Sequence, residues 1–70
     1  MFIQLTDEEM EKFYLNADLI ETIAARKFRG GSAIYLTTGR EVICIDSPDS
    51  IQEKVNSMIQ KKGMVTYDDR

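Results

Sequence analysis

The chain has 70 residues, of which 43% are hydrophobic and 30% charged, and its net charge is −3. A chain of this length forms at most one domain and buries only about 60% of its unfolded surface, so a homo-oligomer is a reasonable expectation. The negative charge makes nucleic acid an unfavoured partner, because nucleic-acid binders are normally basic. We place a single domain at residues 1–63 and expect a frayed C-terminal tail at residues 64–70.

The first elements predicted are two short strands around an acidic segment. Alternating apolar residues predict a strand over residues 1–6, and a second strand is predicted over residues 12–16. Residues 6–9 (TDEE) have the form of a capping box, which favours a helical turn. An acidic hairpin loop over residues 7–12 fits the same residues equally well, and both alternatives stay open. A solvated acidic loop is a much stronger interpretation than a metal site, so no metal is expected.

Residues 17–28 (ADLIETIAARKF) fit two structures. They are rich in good helix formers, and a helix would gather three apolar side chains on one side: Leu19, Ile20 and Ile23. A strand has a weaker amphipathic pattern, with one face formed by Leu19, Glu21, Ile23 and Ala25. Local propensity therefore favours a helix slightly, although tertiary context routinely overrides propensity. The Gly30–Gly31 pair ends the element in either structure.

A β-hairpin is predicted next, with strands over residues 32–37 and 41–46. Thr38 and Gly39 form a plausible two-residue turn, since glycine adopts positive φ readily. This turn pairs Tyr35 with Val42. It assigns one face to Ile34, Leu36, Ile43 and Ile45, and the other to Ala33, Tyr35, Val42 and Cys44. Both faces are partly apolar, so the sheet is curled on itself, covered on both sides, or part of an interface.

Three residues of the second face are the candidate protein interface: Tyr35, Val42 and Cys44. Tyrosine is enriched at interfaces because its ring is flat and its tip polar. Packing of Tyr35 inside a small barrel is an equally good interpretation. Cys44 lies between two isoleucines, which predicts a buried thiol. Since the chain has no histidine to activate that thiol, Cys44 is not expected to be a nucleophile.

The last predicted element is a helix over residues 48–62. Ser47 and Pro48 have the residue types of an N-cap and a first helical position. The apolar residues that follow fall on one helical stripe, formed by Ile51, Val55, Met58 and Ile59. Gly63 is typical of a helix stop.

No arrangement of residues in the sequence specifies a reaction. Without histidine there is no Ser-His-Asp triad, and the GGS sequence at residues 30–32 lacks the spacing of a phosphate-binding loop. We therefore expect no enzyme, no cofactor and no catalytic residue. No apolar run approaches the roughly 18 residues of a membrane span, and the N-terminus does not have the pattern of a signal peptide. We expect a cytoplasmic protein with no membrane insertion.

Two phrases of the sequence, FYLNADLIETI at residues 13–23 and AIYLTTGREVICIDSPDSIQEKV at residues 33–55, resemble the FlbD family of flagellar and swarming-motility proteins. The residues that carry the resemblance are Phe13, Leu15, Asn16, Leu19, Ile20, Glu21, Ile23, Ile34, Leu36, Gly39, Arg40, Ile43, Ser47 and Val55. It covers residues 13–60. The acidic TDEEMEK segment departs from the family pattern, where an Asn-Gly type of turn is usual.

The resemblance implies an α+β fold, a small curled antiparallel sheet of four to five strands with one C-terminal helix. It also implies that residues 16–18 turn and residues 19–28 form a strand, against local propensity. Three or more strands under a helix make a workable core, whereas an isolated hairpin does not. In function it implies a non-catalytic protein-interaction module that supports the flagellar motor or swarming, with a protein partner of unknown identity.

The alternative hypothesis is a small nucleic-acid-binding or regulatory module, of phage or mobile-element origin. It rests on fold-level analogy, since small curled sheets often host such functions. Its candidate phosphate contacts are Arg26, Lys27, Arg29 and Arg40. A solvated loop or strand end is the stronger interpretation of the first three.

Overall fold

The computed structural model describes the backbone of residues 1–67 and the side chains of residues 1–59. Five antiparallel strands are followed by one helix, so the predicted α+β class is confirmed. The strands are β1 (Phe2–Thr6), β2 (Lys12–Asn16), β3 (Ile20–Ala25), β4 (Ser32–Leu36) and β5 (Glu41–Cys44), and the helix is α1 (Pro48–Tyr67). A 3₁₀ turn over Ala17–Leu19 joins β2 to β3.

The strands form two sheets, where the sequence predicted one curled sheet. One sheet has the order β1-β2 and the other β3-β4-β5. The sheets meet where Ile45 N–H donates to the Thr6 carbonyl oxygen at 2.9 Å. The amide of Thr6 donates instead to Oδ1 of Asp46, at 2.9 Å. One backbone hydrogen bond and one bond to a side chain therefore connect the sheets at this point.

The acidic loop, residues 7–11, joins β1 to β2 as a hairpin loop and not as a helical turn. The carboxylate of Asp7 accepts hydrogen bonds from the amides of Glu9 and Glu11, at 2.8 and 2.9 Å. The amide of Asp7 donates to the carbonyl oxygen of Glu11 at 2.8 Å and closes the loop. Short polar side chains that bond to amides two residues ahead are typical of turns. Met10 adopts φ 67° in this loop.

Residues 20–25 form a strand, as the family resemblance implied and against local propensity. Asn16 begins the preceding turn, because its side chain accepts from the amide of Asp18 at 3.1 Å. β3 then pairs with β4 and ends at Ala25, so the strand is shorter than the predicted 19–28. The register shifts between Ile20 and Thr22, which marks a β-bulge.

The β4–β5 hairpin contains both predicted strands in a different register. Ile34 lies opposite Val42, one residue away from the predicted pairing. The amide of Gly39, at φ 93°, donates to the Leu36 carbonyl oxygen, and the Leu36 amide donates to the Arg40 carbonyl oxygen. The loop therefore has the three residues TTG, a common hairpin class with glycine at positive φ. The predicted two-residue turn and the predicted faces are wrong, because a one-residue slip moves side chains to the opposite face.

Helix α1 begins as predicted and continues further. The Ser47 hydroxyl accepts from the amide of Ser50 at 3.1 Å, and Pro48 is the first helical residue. The helix runs to Tyr67, so the predicted stop at Gly63 is wrong. A glycine disfavours a helix by only about 1 kcal/mol relative to alanine, and no proline follows this one. The division of the chain at residue 63 stays a prediction, and residues 68–70 lie outside the described residues.

The core lies between the two sheets and the first half of the helix. Its buried members are Ile3, Leu5, Leu15, Ile34, Leu36, Cys44 and Ile51. Of the predicted helical stripe, Ile51 is buried and Val55 half-buried, whereas Met58 and Ile59 are exposed. The helix therefore packs on the sheets through its first turns, and its stripe emerges from the core after Val55.

Candidate protein-binding groove

The structure separates the three residues predicted as an interface. Val42 lies opposite Ile34, and Cys44 lies opposite Ser32, so both belong to the face that carries the core. Tyr35 lies opposite Glu41 on the outer face of the same sheet. The three side chains therefore do not form one surface, because the register differs from the predicted one by one residue.

The thiol of Cys44 is buried, as predicted. Its Sγ lies 3.8 Å from the carbonyl oxygen of Asp46, which also accepts a hydrogen bond from the Ser32 hydroxyl at 2.7 Å. Burial raises the pKa of Cys44 above its ordinary value, which favours the neutral thiol. The thiolate is the reactive form of cysteine, so this environment lowers the reactivity of Cys44.

Tyr35 is an exposed aromatic residue beside a carboxylate. The negative charge of Glu41, directly across the strand pair, raises the pKa of the Tyr35 phenol. The neutral form of the phenol is therefore favoured. Nothing else in the geometry distinguishes Tyr35 as a contact residue.

The four candidate phosphate contacts are divided between two ends of the sheet. Arg26, Lys27 and Arg29 belong to the basic loop, residues 26–31, which precedes β4. Arg40 lies in the turn that follows β4, at the other end of the strand. Arg26 also pairs with Glu8, with 2.7 Å between Nη1 and Oε2. The structure therefore does not bring these four cations together on one surface.

An open apolar groove lies between the outer face of the β1–β2 hairpin and helix α1. It has a volume of about 400 Å³. Its lining residues are Phe2, Ile3, Gln4, Tyr14, Lys54, Ser57 and Met58. Phe2 is 61% exposed, Tyr14 68% and Met58 37%. Large apolar side chains that share one exposed surface commonly mark a contact site.

The hairpin positions the aromatic residues of the groove. Phe2 lies opposite Asn16, and Gln4 opposite Tyr14, so these four side chains share the outer face. Gln4 Nε2 lies 3.4 Å from the Tyr14 hydroxyl, a long hydrogen bond that orients the ring. Phe2 and Tyr14 are diagonal neighbours on this face, and exposed aromatic side chains offer a large contact area. The inner face of the same strands carries Ile3, Leu5 and Leu15 of the core, so the groove lies over packed side chains.

Lys54 closes one side of the groove and ties the helix to both sheets. Its ammonium donates to the Gln4 carbonyl oxygen at 2.6 Å and to Oδ2 of Asp46 at 3.2 Å. Burial alone would raise the pKa of Asp46, but the Thr6 amide and the Lys54 ammonium outweigh it, and the pKa lies below its ordinary value. Asp46 is therefore a charged anchor that holds the helix against β1.

Sequence reasoning missed this groove because its members come from three separate elements. Phe2 and Tyr14 alternate with core residues on two different strands, and Met58 continues the apolar stripe of the helix. A usable signal is present in the first strand, where Phe2 alternates with Met1 and Ile3 and makes both faces apolar. That signal indicates a covered or contacted outer face.

Within residues 1–59, no three side chains of His, Cys, Asp or Glu are grouped in a way that would hold a metal ion. In the described part of the chain, no helix combines the length and apolar character needed to cross a bilayer.

Comparison with known proteins connects the chain to one family. The family model FlbD, described as flagellar and swarming motility proteins, matches residues 2–63. This match confirms the resemblance found over residues 13–60 and includes the acidic loop, where the sequence departs from the family pattern. Curated proteins and solved structures give no match.

Proposed function

Because the chain belongs to the FlbD family of flagellar and swarming motility proteins, we propose that it is a non-catalytic cytoplasmic module that supports motility by binding a protein of the flagellar apparatus. The groove between the β1–β2 hairpin and helix α1 is the binding surface. The observation that carries this proposal is the exposure of Phe2 and Tyr14 on one face of the β1–β2 hairpin, in a groove that Met58 of the helix also lines.

The chemistry of the groove suits a protein partner with an apolar side chain at its centre. Tyrosine, phenylalanine and methionine are enriched at protein interfaces, and a few aromatic anchors often provide most of the binding energy. Burying one such side chain contributes about 1.5–3 kcal/mol. Around these residues, Gln4 and Ser57 supply polar atoms at the rim.

The experiment compares the groove with the interface predicted from the sequence. A strain lacking the gene is complemented with the wild-type chain, with the double variant Phe2→Ser/Tyr14→Ser, or with the control Tyr35→Ser. All three substituted side chains are exposed, so each variant is expected to stay within about 1 kcal/mol of the wild-type stability. Swimming and swarming are measured together with the cellular amount of each protein. We expect the groove variant to lose function and Tyr35→Ser to keep it.

A direct contact is tested with a photo-cross-linking amino acid placed at position 14, and at position 35 as the matched control. We expect position 14 to form an adduct with a component of the flagellar apparatus, identified by mass spectrometry, and position 35 to form none. Normal motility of the deletion strain would contradict the proposal as a whole. Loss of function in Tyr35→Ser alone would move the interface to the outer face of the larger sheet.

A further inference from the structure

The acidic loop and the basic loop are neighbours in the folded chain. The 2.7 Å ion pair between Arg26 and Glu8 joins them directly. The two most exposed large apolar side chains among the described residues occupy these loops, Phe28 at 95% and Met10 at 71%. An exposed aromatic ring and an exposed thioether therefore occupy neighbouring loops of opposite charge.

We infer that this paired-loop surface binds a second copy of the same chain. A two-fold axis through the surface places the acidic loop of each copy against the basic loop of its partner. Such an interface is self-complementary, since each contact occurs twice. It also brings Phe28 of one copy against Met10 of the other, and sulfur–aromatic contacts of this kind are favourable.

Charge complementarity is the reason for choosing a second copy as the occupant. Glu9 and Glu11 of the acidic loop, and Lys27 and Arg29 of the basic loop, form no ion pair within residues 1–59 of one chain. They are exposed and available for pairing between copies. Opposite charges placed face to face accelerate encounter and define orientation. Neither loop belongs to the groove, which lies at the other end of the β1–β2 hairpin.

The acidic loop argues against an anionic membrane as the occupant. Phe28 between Lys27 and Arg29 has the composition of a residue that enters a lipid interface. Any lipid surface reached by Phe28 would also face the neighbouring Glu9 and Glu11, whose charges oppose the attraction of the two cations. A partner with both signs of charge satisfies both loops, and a second copy of this chain has both.

Two loops make a small interface, so the dimer is weak and forms at high protein concentration. Sedimentation velocity over a range from micromolar to millimolar protein measures it. We expect reversible dimers that weaken when salt is raised from about 50 mM to about 500 mM, because exposed charges are screened. Larger or open-ended assemblies would contradict a two-fold interface, and a monomer at all concentrations would overturn the inference.

Three substitutions test the surface. Phe28→Ser and Lys27→Glu are expected to weaken the dimer by about tenfold or more, equivalent to about 1.4 kcal/mol. Arg40→Glu is the matched control, because it reverses the same charge in the turn at the other end of the sheet and is expected to leave the dimer intact. Equal weakening by Arg40→Glu, or no effect of Phe28→Ser, would overturn the inference.

A charge exchange gives the sharpest test. Lys27→Glu/Arg29→Glu places carboxylates at all four proposed contact positions (9, 11, 27 and 29), and Glu9→Lys/Glu11→Lys places cations at all four. Each double variant alone should remain monomeric, whereas an equal mixture should form dimers, because every contact is then again between opposite charges. If mixing does not restore dimers, the proposed pairing is wrong. Phe28-dependent binding of the monomer to vesicles of anionic lipid, in place of dimers, would also overturn it.

Discussion

The junction between the two sheets is formed by Thr6, Ile45 and Asp46. Of two adjacent glycines in the basic loop, one packs against this junction and the other does not. Gly30 and Gly31 have almost the same backbone, with φ 73° and 75°. A Cβ on Gly30 would meet nothing within 4 Å. A Cβ on Gly31 would overlap the carbonyl oxygen of Cys44 and lie 2.9 Å from Cα of Ile45. Gly30 is therefore needed for its backbone angle alone. Gly31 is needed for its backbone angle and because no Cβ fits beside the backbone of Cys44 and Ile45.

Charged residues of the junction and of the basic loop differ in burial and in ion pairing. In the junction, the carboxylate of Asp46 accepts from the Thr6 amide and the Lys54 ammonium, and only 13% of its side chain is exposed. In the basic loop, Lys27 and Arg29 are exposed and form no ion pair within residues 1–59. The polar groups of the junction thus join β1, β5 and α1, whereas in the basic loop only Arg26 forms an ion pair among the described residues.

The largest expected effect is at Gly31. Gly31→Ala should destabilise the fold by more than about 4 kcal/mol, because backbone atoms of Cys44 and Ile45 must move in addition to the strain at positive φ. Gly30→Ala is the matched control and should lose only about 1–2 kcal/mol from the backbone angle. Urea unfolding followed by circular dichroism measures both. Equal losses would show that the close approach at Gly31 is unimportant.

A smaller effect is expected at Asp46. Asp46→Asn removes the charge that holds Lys54 and should destabilise the fold by about 1–2 kcal/mol at neutral pH. The folded pKa of Asp46 is depressed, so its contribution is present above the ordinary value of 3.8 and is lost as the pH falls through the lower folded value. The stability difference between wild type and Asp46→Asn should therefore shrink below about pH 4.

The control for Asp46 is Glu53→Gln, which removes an exposed carboxylate from the helix. It should change stability by less than about 0.5 kcal/mol. Unfolding by urea at a series of pH values checks both variants. A difference for Asp46→Asn that stays constant across the acid range would rule out the depressed pKa as its cause.

The smallest expected effect is a gain at Met10. This residue holds φ 67° in the acidic loop, a backbone angle that is unfavourable for residues other than glycine. Met10→Gly should stabilise the monomer by about 0.5–1 kcal/mol. Met10→Ala keeps the strain and removes only an exposed side chain, so it should change little. A destabilised Met10→Gly, measured in dilute protein, would mean that the Met10 side chain stabilises the loop.

Several parts of the fold were predictable because their signals are local. The Ser47-Pro48 start of the helix and the two hairpin strands around residue 39 each depend on residues close in sequence. The turn at Asn16 was implied by the family resemblance. Burial of Cys44 followed from its apolar neighbours. The helix end was not predictable from Gly63 alone, since one glycine is a weak stop signal.

The ambiguity of residues 17–28 has a structural cause. Ile20 and Ile23 both pack against the core, although an uninterrupted strand would direct residues three apart to opposite faces. The bulge between Ile20 and Thr22 inserts the extra residue that turns both side chains inward. The three-residue spacing of Ile20 and Ile23, which is typical of a helix, is therefore a consequence of the β-bulge.

Local signals in the sequence determined the helix start and the strands of the β4–β5 hairpin, and the family resemblance at residues 13–23 implied, against local propensity, the strand that completes the α+β class. Only the tertiary structure decided the pairing register of β4 with β5, the division into two sheets and the groove beside Tyr14. Each of these depends on atoms far apart in sequence. The register follows from a turn of three residues in place of two, and the sheets meet at Thr6, whose amide donates to the Asp46 carboxylate across 40 positions.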